Sequence, residues 1–564
     1  MLILSTIILL ISNALTHIRE LAILFSRSTM YLLFIICLLT LDNFSLTFLS
    51  KGISIYSGLF FVKPYIETFA FFIYLITALI LILTSYYPRS FFKSVNSQEN
   101  LAETKTIQNE NLEQYKIIEY SLLILFVLNG AILLMASNDL VSIFLCLELQ
   151  SYGLYLLCAV YRNSELSTEA SLTYFLLGGL SSCIILLGQS LLYINSGNTS
   201  LDGIFIISNI SDTLNYSLEN SNFINIYQYY IQISLVVLSV GFLFKISAAP
   251  FHFWSPGVYD HIPTIVTTFV AIIAKISILI MFFEIIYFTS SNLLNISWKN
   301  SILLSSLLSL VIGSVLGLTQ SRIKRLYAYS TISHLGFILL ALSVISVESS
   351  LAFFFYIIQY SLTNLNAFLI LIAIGYSLYV YIKNVKDNSN NEPENAIYEE
   401  SRNYSPVQYT KELADYYKVN TVLALSLGIT LFSFLGVPPL MGFFGKQMIL
   451  SAALDRGYIF MVLVAILTSV ISGVYYLVLI KILFFENTEL YTKYSSNGLA
   501  NASEIKSESV YNKDWYILFN GQAKLTSSLT NTISIITLIL SMFMFISKEN
   551  IGLFLLLSMY QANI

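Results

Sequence analysis

Runs of about twenty predominantly apolar residues recur along this 564-residue chain, and a helix of that length crosses the ~30 Å hydrocarbon core of a bilayer. Lipid offers no hydrogen bonds, so each run must satisfy its own backbone as a helix. The expectation is an all-α polytopic membrane protein with about fourteen transmembrane helices. They fall near residues 2–16, 30–49, 65–86, 119–136, 139–160, 170–194, 228–249, 263–287, 301–318, 323–346, 350–377, 420–454, 458–485 and 528–546. Charged residues are only 11% of the chain against 56% hydrophobic, which excludes a string of soluble domains, and a net charge of −4 implies no nucleic-acid partner. Cys37, Cys146, Cys158 and Cys183 lie inside apolar runs without C-x-x-C spacing and read as core residues rather than metal ligands or disulfides. Met1 to Leu15 has no basic segment and is expected to begin the first span rather than act as a cleavable signal. Heavy use of Ile, Asn, Ser, Tyr (39) and Phe (40) suits an AT-rich, organelle-borne coding sequence.

Lysine and arginine are unevenly distributed. Loops after odd-numbered spans hold about 19 of the 28 and loops after even-numbered spans about 5, with the short cluster Arg322, Lys324 and Arg325 the most persuasive. The positive-inside rule then puts both termini on the positive side of the membrane and the odd loops on the negative side. Four polar stretches, 87–118, 195–227, 383–419 and 486–527, carry no phosphate loop or metal cluster and read as linkers or as docking segments for neighbouring subunits. Ile551 to Tyr560 is too short to span and is expected at the interface.

Two sets of five spans share a plan. Spans 4–8 hold a polar fifth helix, a seventh broken at Pro250 and a lysine in the eighth; spans 9–13 hold a polar tenth helix (Ser330, Ser333, His334) and a twelfth broken at Pro438-Pro439. Five is odd, so the second set would enter from the opposite side, giving two inverted five-helix repeats of the kind that gather ion sites at broken helices. The expected organisation is therefore 1–118, three spans and a polar loop; 119–287, the first repeat; 288–485, the second; and 486–564, a polar loop, span 14 and tail.

Ionisable residues within the spans are costly and need a reason. Glu148 lies about ten residues into the fifth span, roughly 15 Å deep. It is either a structural ion-pair partner or one member of a proton relay. Lys245, in GFLFKISAAPFHFWSPGVYDHIPT, precedes Pro250, which has no N–H and frees carbonyls near Ile246 that water is expected to satisfy. Burial favours a neutral amine and a nearby carboxylate favours the ammonium, so such a group can switch with its partner; a plain hinge with a snorkelling lysine is the alternative. Lys275, about twelve residues into the eighth span, has no acid within helical reach and is either neutral or served by water and other helices. Lys446 follows the second break, where Gly436, Gly442 and Gly445 allow close helix approach. His334 and His252 are candidate relay groups, His334 equally readable as a hydrogen-bonded core residue. Lys481 and Glu284, near span ends, are expected to snorkel. No nucleophile triad, haem ligand pair or dinucleotide fingerprint accompanies these groups, so the residues point to movement of protons or ions without redox chemistry.

The segment FKISAAPFHFWSPGVYDHIPT resembles the FKxxxxPFHxWxPDVYxxxP signature of the proton-pumping subunits of respiratory complex I and their Mrp-type antiporter relatives. EASLTYFLLGGLSSCIILLGQSLLY, IKRLYAYSTISHLGF, SLTNLNAFLILI and GVPPLMGFFGKQMIL continue the resemblance over roughly residues 119 to 485. Within that family the chain looks like the plain fourteen-span members; nothing after Phe545 would supply the lateral helix of longer ones, and Lys446 stands where another branch places a glutamate. The resemblance implies that Glu148 and Lys245 are the glutamate–lysine pair, Lys275 the central relay lysine, and Lys446 the lysine controlling transfer toward the outer side. Gly257 departs from the signature's Asp, and Asp260 three residues on partly replaces it.

The resemblance further implies a proton-translocating membrane-arm subunit of NADH:ubiquinone oxidoreductase in the mitochondrial inner membrane. It would bind no cofactor itself, with NADH, FMN, iron–sulfur clusters and ubiquinone in partner subunits, and would contact other membrane-arm subunits and membrane lipids. An autonomous cation/proton antiporter and a non-pumping structural spacer are the alternatives.

Overall fold

The computed structural model describes residues 2–16, 22–43, 52–85, 119–161, 164–204, 206–207, 222–289, 298–388, 407–414, 416–486 and 527–542. Among them, nine helices are long and apolar enough to cross a membrane, and five further apolar helices are shorter. In chain order the helices are α1 (Leu2–Thr16), α2 (Ala22–Asn43), α3 (Pro64–Ser85), α4 (Glu119–Ala136), α5 (Leu140–Ala159), α6 (Glu165–Ser196) and α7 (Asn222–Ile246). There follow α8 (Trp254–His261), α9 (Thr264–Thr289), α10 (Lys299–Gly317), α11 (Ile323–Val344), α12 (Val347–Asn388), the short α13 (Tyr416–Val419), α14 (Thr421–Leu435), α15 (Met441–Asp455), α16 (Ile459–Phe485) and α17 (Ser527–Met542). An antiparallel hairpin, β1 (Ile53–Ile55) and β2 (Phe60–Val62), links α2 to α3, with Ser54 opposite Phe61.

The second span starts earlier than its apolar run. Residues 26–29 look polar, yet Ser28 and Thr29 donate back to the carbonyls of Phe25 and Ser26 at 2.8 Å, so the helix absorbs its own hydroxyls. Ile551 to Tyr560 and most of the four polar stretches lie outside the described residues. The end of the third, 407–410, does not behave as a linker: Gln408 and Thr410 form backbone hydrogen bonds with Ile323 and Ser321 at the start of α11.

Three helices form the centre. The α9 span is 100% buried, α11 94% and the apolar part of α12 89%, against 33% for α6, whose outer face is left to lipid or to neighbours. Between apolar helices in lipid, close packing has to replace the hydrophobic drive, and small residues provide it. A Cβ on Gly130 of α4 would stand 2.7 Å from the Gln150 nitrogen of α5, and one on Gly313 of α10 would stand 2.6 Å from the Ser333 nitrogen of α11. Each contact joins a glycine to the residue twenty positions on, in two different parts of the chain.

Both expected helix breaks are present. α7 stops at Ile246, Ser247 turns left-handed at φ 67°, and the chain passes Pro250 before α8 begins. α14 stops at Leu435, Gly436 adopts φ 84°, and Pro438-Pro439 precede α15.

Candidate functional site

Asp139 caps α5 by accepting from the Val141 nitrogen at 3.0 Å, and this start fixes where Glu148 emerges. Lys245 arrives in the last turn of α7, and its Nζ stands 3.6 Å from Glu148 Oε1, an ion pair longer than a hydrogen bond. Both side chains are largely buried, at 9% and 15% exposure. Ser151 donates to Glu148 Oε2 at 3.4 Å, and the Tyr155 ring centroid lies 6.0 Å from the ammonium. A pair this far from water survives only by mutual attraction and is sensitive to separation.

Protein groups serve one carbonyl at the first break. The Phe244 oxygen accepts from Ser247 N at 3.1 Å and from the Trp254 indole Nε1 at 3.0 Å. Trp254 is itself stacked on Tyr174 of α6, 4.9 Å between centroids. Lys446 does this work at the second break. Its Nζ donates to the carbonyls of Phe434 at 2.9 Å and Leu435 at 2.8 Å. Those are the oxygens whose helical partners, four residues on, would be the nitrogens of Pro438 and Pro439, which carry no hydrogen. One ammonium supplies the two donors that two prolines withdraw.

Lys275 sits at the middle of α9 with 2% of its surface exposed. Its Nζ donates to Thr331 Oγ1 of α11 at 3.3 Å and lies 5.4 Å from the Tyr259 ring of α8. Both contacts come from other helices. His334, also buried, is held between Tyr356 OH at 2.8 Å from Nδ1 and Tyr476 OH at 3.4 Å from Nε2. Its ring packs 5.3 Å from Phe434, the residue whose carbonyl Lys446 holds. His252 lies elsewhere: it lines a cavity of about 300 Å³ with Phe253, Pro256, Gly257, Gln320, Arg325 and Tyr329. Gln359 on α12 is fully buried with both amide atoms unpartnered, against the Gly442–Gly445 face of α15 one turn from Lys446.

Tyr259, Thr331, Tyr356, Tyr476 and Gln359 escape a sequence reading, because tyrosine and threonine on an apolar helix look like packing. The first four stand out only by the ammonium or imidazole each one meets, and Gln359 only by its burial against α15. Glu284 corrects its expectation: it does not snorkel but is 4% exposed, paired with Lys63 at 3.2 Å and hydrogen-bonded by Tyr65. Lys63 comes from a loop 221 positions away, beyond the reach of local pattern. Lys481 does reach outward, 68% exposed beside Glu486 at 3.7 Å. Cys37, Cys146 and Cys158 are buried as expected, whereas Cys183 is exposed on the outer face of α6. Among the described residues, no group of three or more His, Cys, Asp or Glu is placed to hold a metal ion.

A largely helical membrane protein with two broken helices and a series of buried lysines has the architecture of membrane translocators. Residues 137–472 match the family NADH:quinone oxidoreductase/Mrp antiporter, TM, and the chain belongs to that family. It is 41% identical over 536 residues to NADH-ubiquinone oxidoreductase chain 2 of Rhizopus oryzae, covering 95% of this chain and 94% of that one. It shares the fold of a chain of respiratory complex I from Thermus thermophilus, with a TM-score of 0.62 and 24% identity over 86% of this chain and 90% of that one. A chain of the Mrp complex from Dietzia sp. DQ12-45-1b has the same fold at TM-score 0.69 and 16% identity, covering 98% and 95%.

Proposed function

We propose that this chain is a proton-translocating membrane-arm subunit of NADH:ubiquinone oxidoreductase, multi-pass in the mitochondrial inner membrane with both termini on the intermembrane-space side. Other membrane-arm subunits and lipids surround it, and NADH, FMN, iron–sulfur clusters and ubiquinone are handled by its partners. The five shorter apolar helices also cross, giving fourteen spans on this reading, and spans 4–8 and 9–13 form the inverted repeats. The twenty-residue glycine contact repeated at Gly130 and Gly313 supports the duplication.

The observation that carries the function is the Glu148–Lys245 pair at 3.6 Å. Its two charges belong to separate helices, so a displacement or a charge arriving from a neighbouring subunit can part them. Parting removes the carboxylate that holds the proton on Lys245 and pushes it toward Lys275. From Lys275 the groups next in place are Thr331, His334 with its two tyrosines, and Lys446. Reforming the pair resets Lys245.

Lys275→Met in the fully assembled complex tests this reading. Coupled NADH:quinone turnover should fall by roughly tenfold, with fewer protons moved per electron. Unchanged proton-to-electron stoichiometry would remove Lys275 from the path. Activity in membranes lacking the NADH dehydrogenase partners would favour an autonomous antiporter.

A further inference from the structure

We propose that Asp260 is a positioning residue for proton transfer: it clamps α8 to α11 and so builds the seat of the Lys275 ammonium. The inference rests on Lys275 belonging to the path proposed above.

Two elements touch that ammonium, α8 through Tyr259 and α11 through Thr331. They are joined at one carboxylate. Asp260, the neighbour of Tyr259, is 5% exposed, and its Oδ2 accepts from Arg322 Nη1 at 2.6 Å and Arg325 Nε at 2.9 Å, both in the opening turn of α11. His261 Nε2 is at 3.9 Å. Lys324, between the two arginines, is itself buried and donates to the Ile262 carbonyl at the end of α8 at 2.5 Å. All three basic residues that mark membrane orientation in the sequence therefore grip the last turn of α8. A cation is favoured there, since α8 ends with its carbonyls unpaid by helix partners.

The clamp is braced from behind. Arg322 lies 5.6 Å from the Tyr409 ring, and the 408–410 backbone pairs with Ser321 and Ile323. Tyr259, the residue before Asp260 in the same α8 turn, is fully buried. One charge thus sets the spacing between the two surfaces that hold Lys275. The related signature places an acid at 257, where this chain has glycine beside an open cavity. The acid that meets the arginines here is one helical turn further on.

A double-mutant cycle in the assembled complex tests the clamp. Asp260→Asn should lower coupled NADH:quinone turnover per complex by roughly tenfold, less than the ~100-fold that a 1 Å misplacement of a reacting group can cost. Asp260→Glu, which keeps the carboxylate, should recover most of it. Because the effect runs through Lys275, Asp260→Asn should add nothing in a Lys275→Met background. Normal turnover in Asp260→Asn overturns the proposal, and so does an equal further loss in Lys275→Met. If Asp260→Asn does not assemble, Arg322→Gln, which removes one of the two donors, goes through the same cycle and is judged by the same two results. Should Lys275→Met alone leave turnover unchanged, the path itself fails, an outcome distinct from failure of the clamp.

Discussion

The two helix breaks use a lysine in opposite ways. At the α7–α8 break the lysine precedes the prolines and faces a carboxylate on another helix, while a neutral indole takes the Phe244 carbonyl. At the α14–α15 break the lysine follows the prolines and is itself bonded to the two carbonyls they orphan. An ammonium held by another charge can be released when that charge moves. One held by two fixed dipoles responds only if the helix end moves. On the proton-transfer reading proposed above, the first break would serve electrostatic control and the second a gate coupled to backbone position. At the first break Trp254 and the Ser247 nitrogen serve the Phe244 carbonyl, and Lys245 faces Glu148.

The largest expected effects separate the two directly. Lys245→Met leaves Glu148 as an unpaired buried carboxylate, a destabilisation of about 3–5 kcal/mol. Adding Glu148→Gln removes that charge, so thermal stability of the complex should return while proton transfer stays lost. Lys446→Met leaves the Phe434 and Leu435 carbonyls without a donor, about 1–3 kcal/mol for each, and no acid can be removed to compensate. Melting curves of the assembled variants decide it. If Glu148→Gln fails to restore Lys245→Met, the pair is not what holds the first break.

A smaller effect tests the tryptophan. Trp254→Phe keeps the aromatic stack on Tyr174 but deletes the indole donor, at a cost of about 0.5–1.5 kcal/mol because Ser247 N still serves the Phe244 carbonyl. Lys245 would then turn toward that carbonyl, as Lys446 does at its own break, and weaken its hold on Glu148. Coupled turnover should fall by roughly threefold, with assembly intact. Unchanged turnover would mean that Lys245 does not compete for backbone.

Much of this comparison is legible in the amino-acid sequence. Apolar run length marks the spans, proline marks both breaks, and an isolated lysine in an apolar run stands out because its cost is large. What the breaks do with their lysines is not legible there. That Lys446 holds the Phe434 and Leu435 carbonyls is not visible there, because whether a side chain reaches back eleven or twelve residues depends on the fold of the break. Glu284 departs from its expectation for a related reason. Closeness to the span end suggests snorkelling, but its partner Lys63 comes from a hairpin connection 221 positions earlier. Sequence reports the depth of a charge along its own helix and is silent on what the other helices bring to it.

The smallest expected effect concerns Gly257, which lies seven residues beyond Pro250, as Lys446 lies seven beyond Pro439. The two breaks therefore place a hydrogen atom and an ammonium at corresponding points. A Cβ at Gly257 meets nothing within 4 Å and opens on the cavity that Arg325 also lines. Gly257→Asp should fold normally and gain helix propensity at no steric cost, changing turnover by less than about twofold. Its value is as a second site: with Asp260→Asn it offers Arg325 a carboxylate one turn earlier, where the related signature has one. Recovery of turnover in Gly257→Asp/Asp260→Asn would mean that α8 needs an acid facing α11 and that either position can supply it. A double variant no better than Asp260→Asn alone would tie the clamp to residue 260 itself, and the first break would then differ from its relatives in geometry as well as in composition.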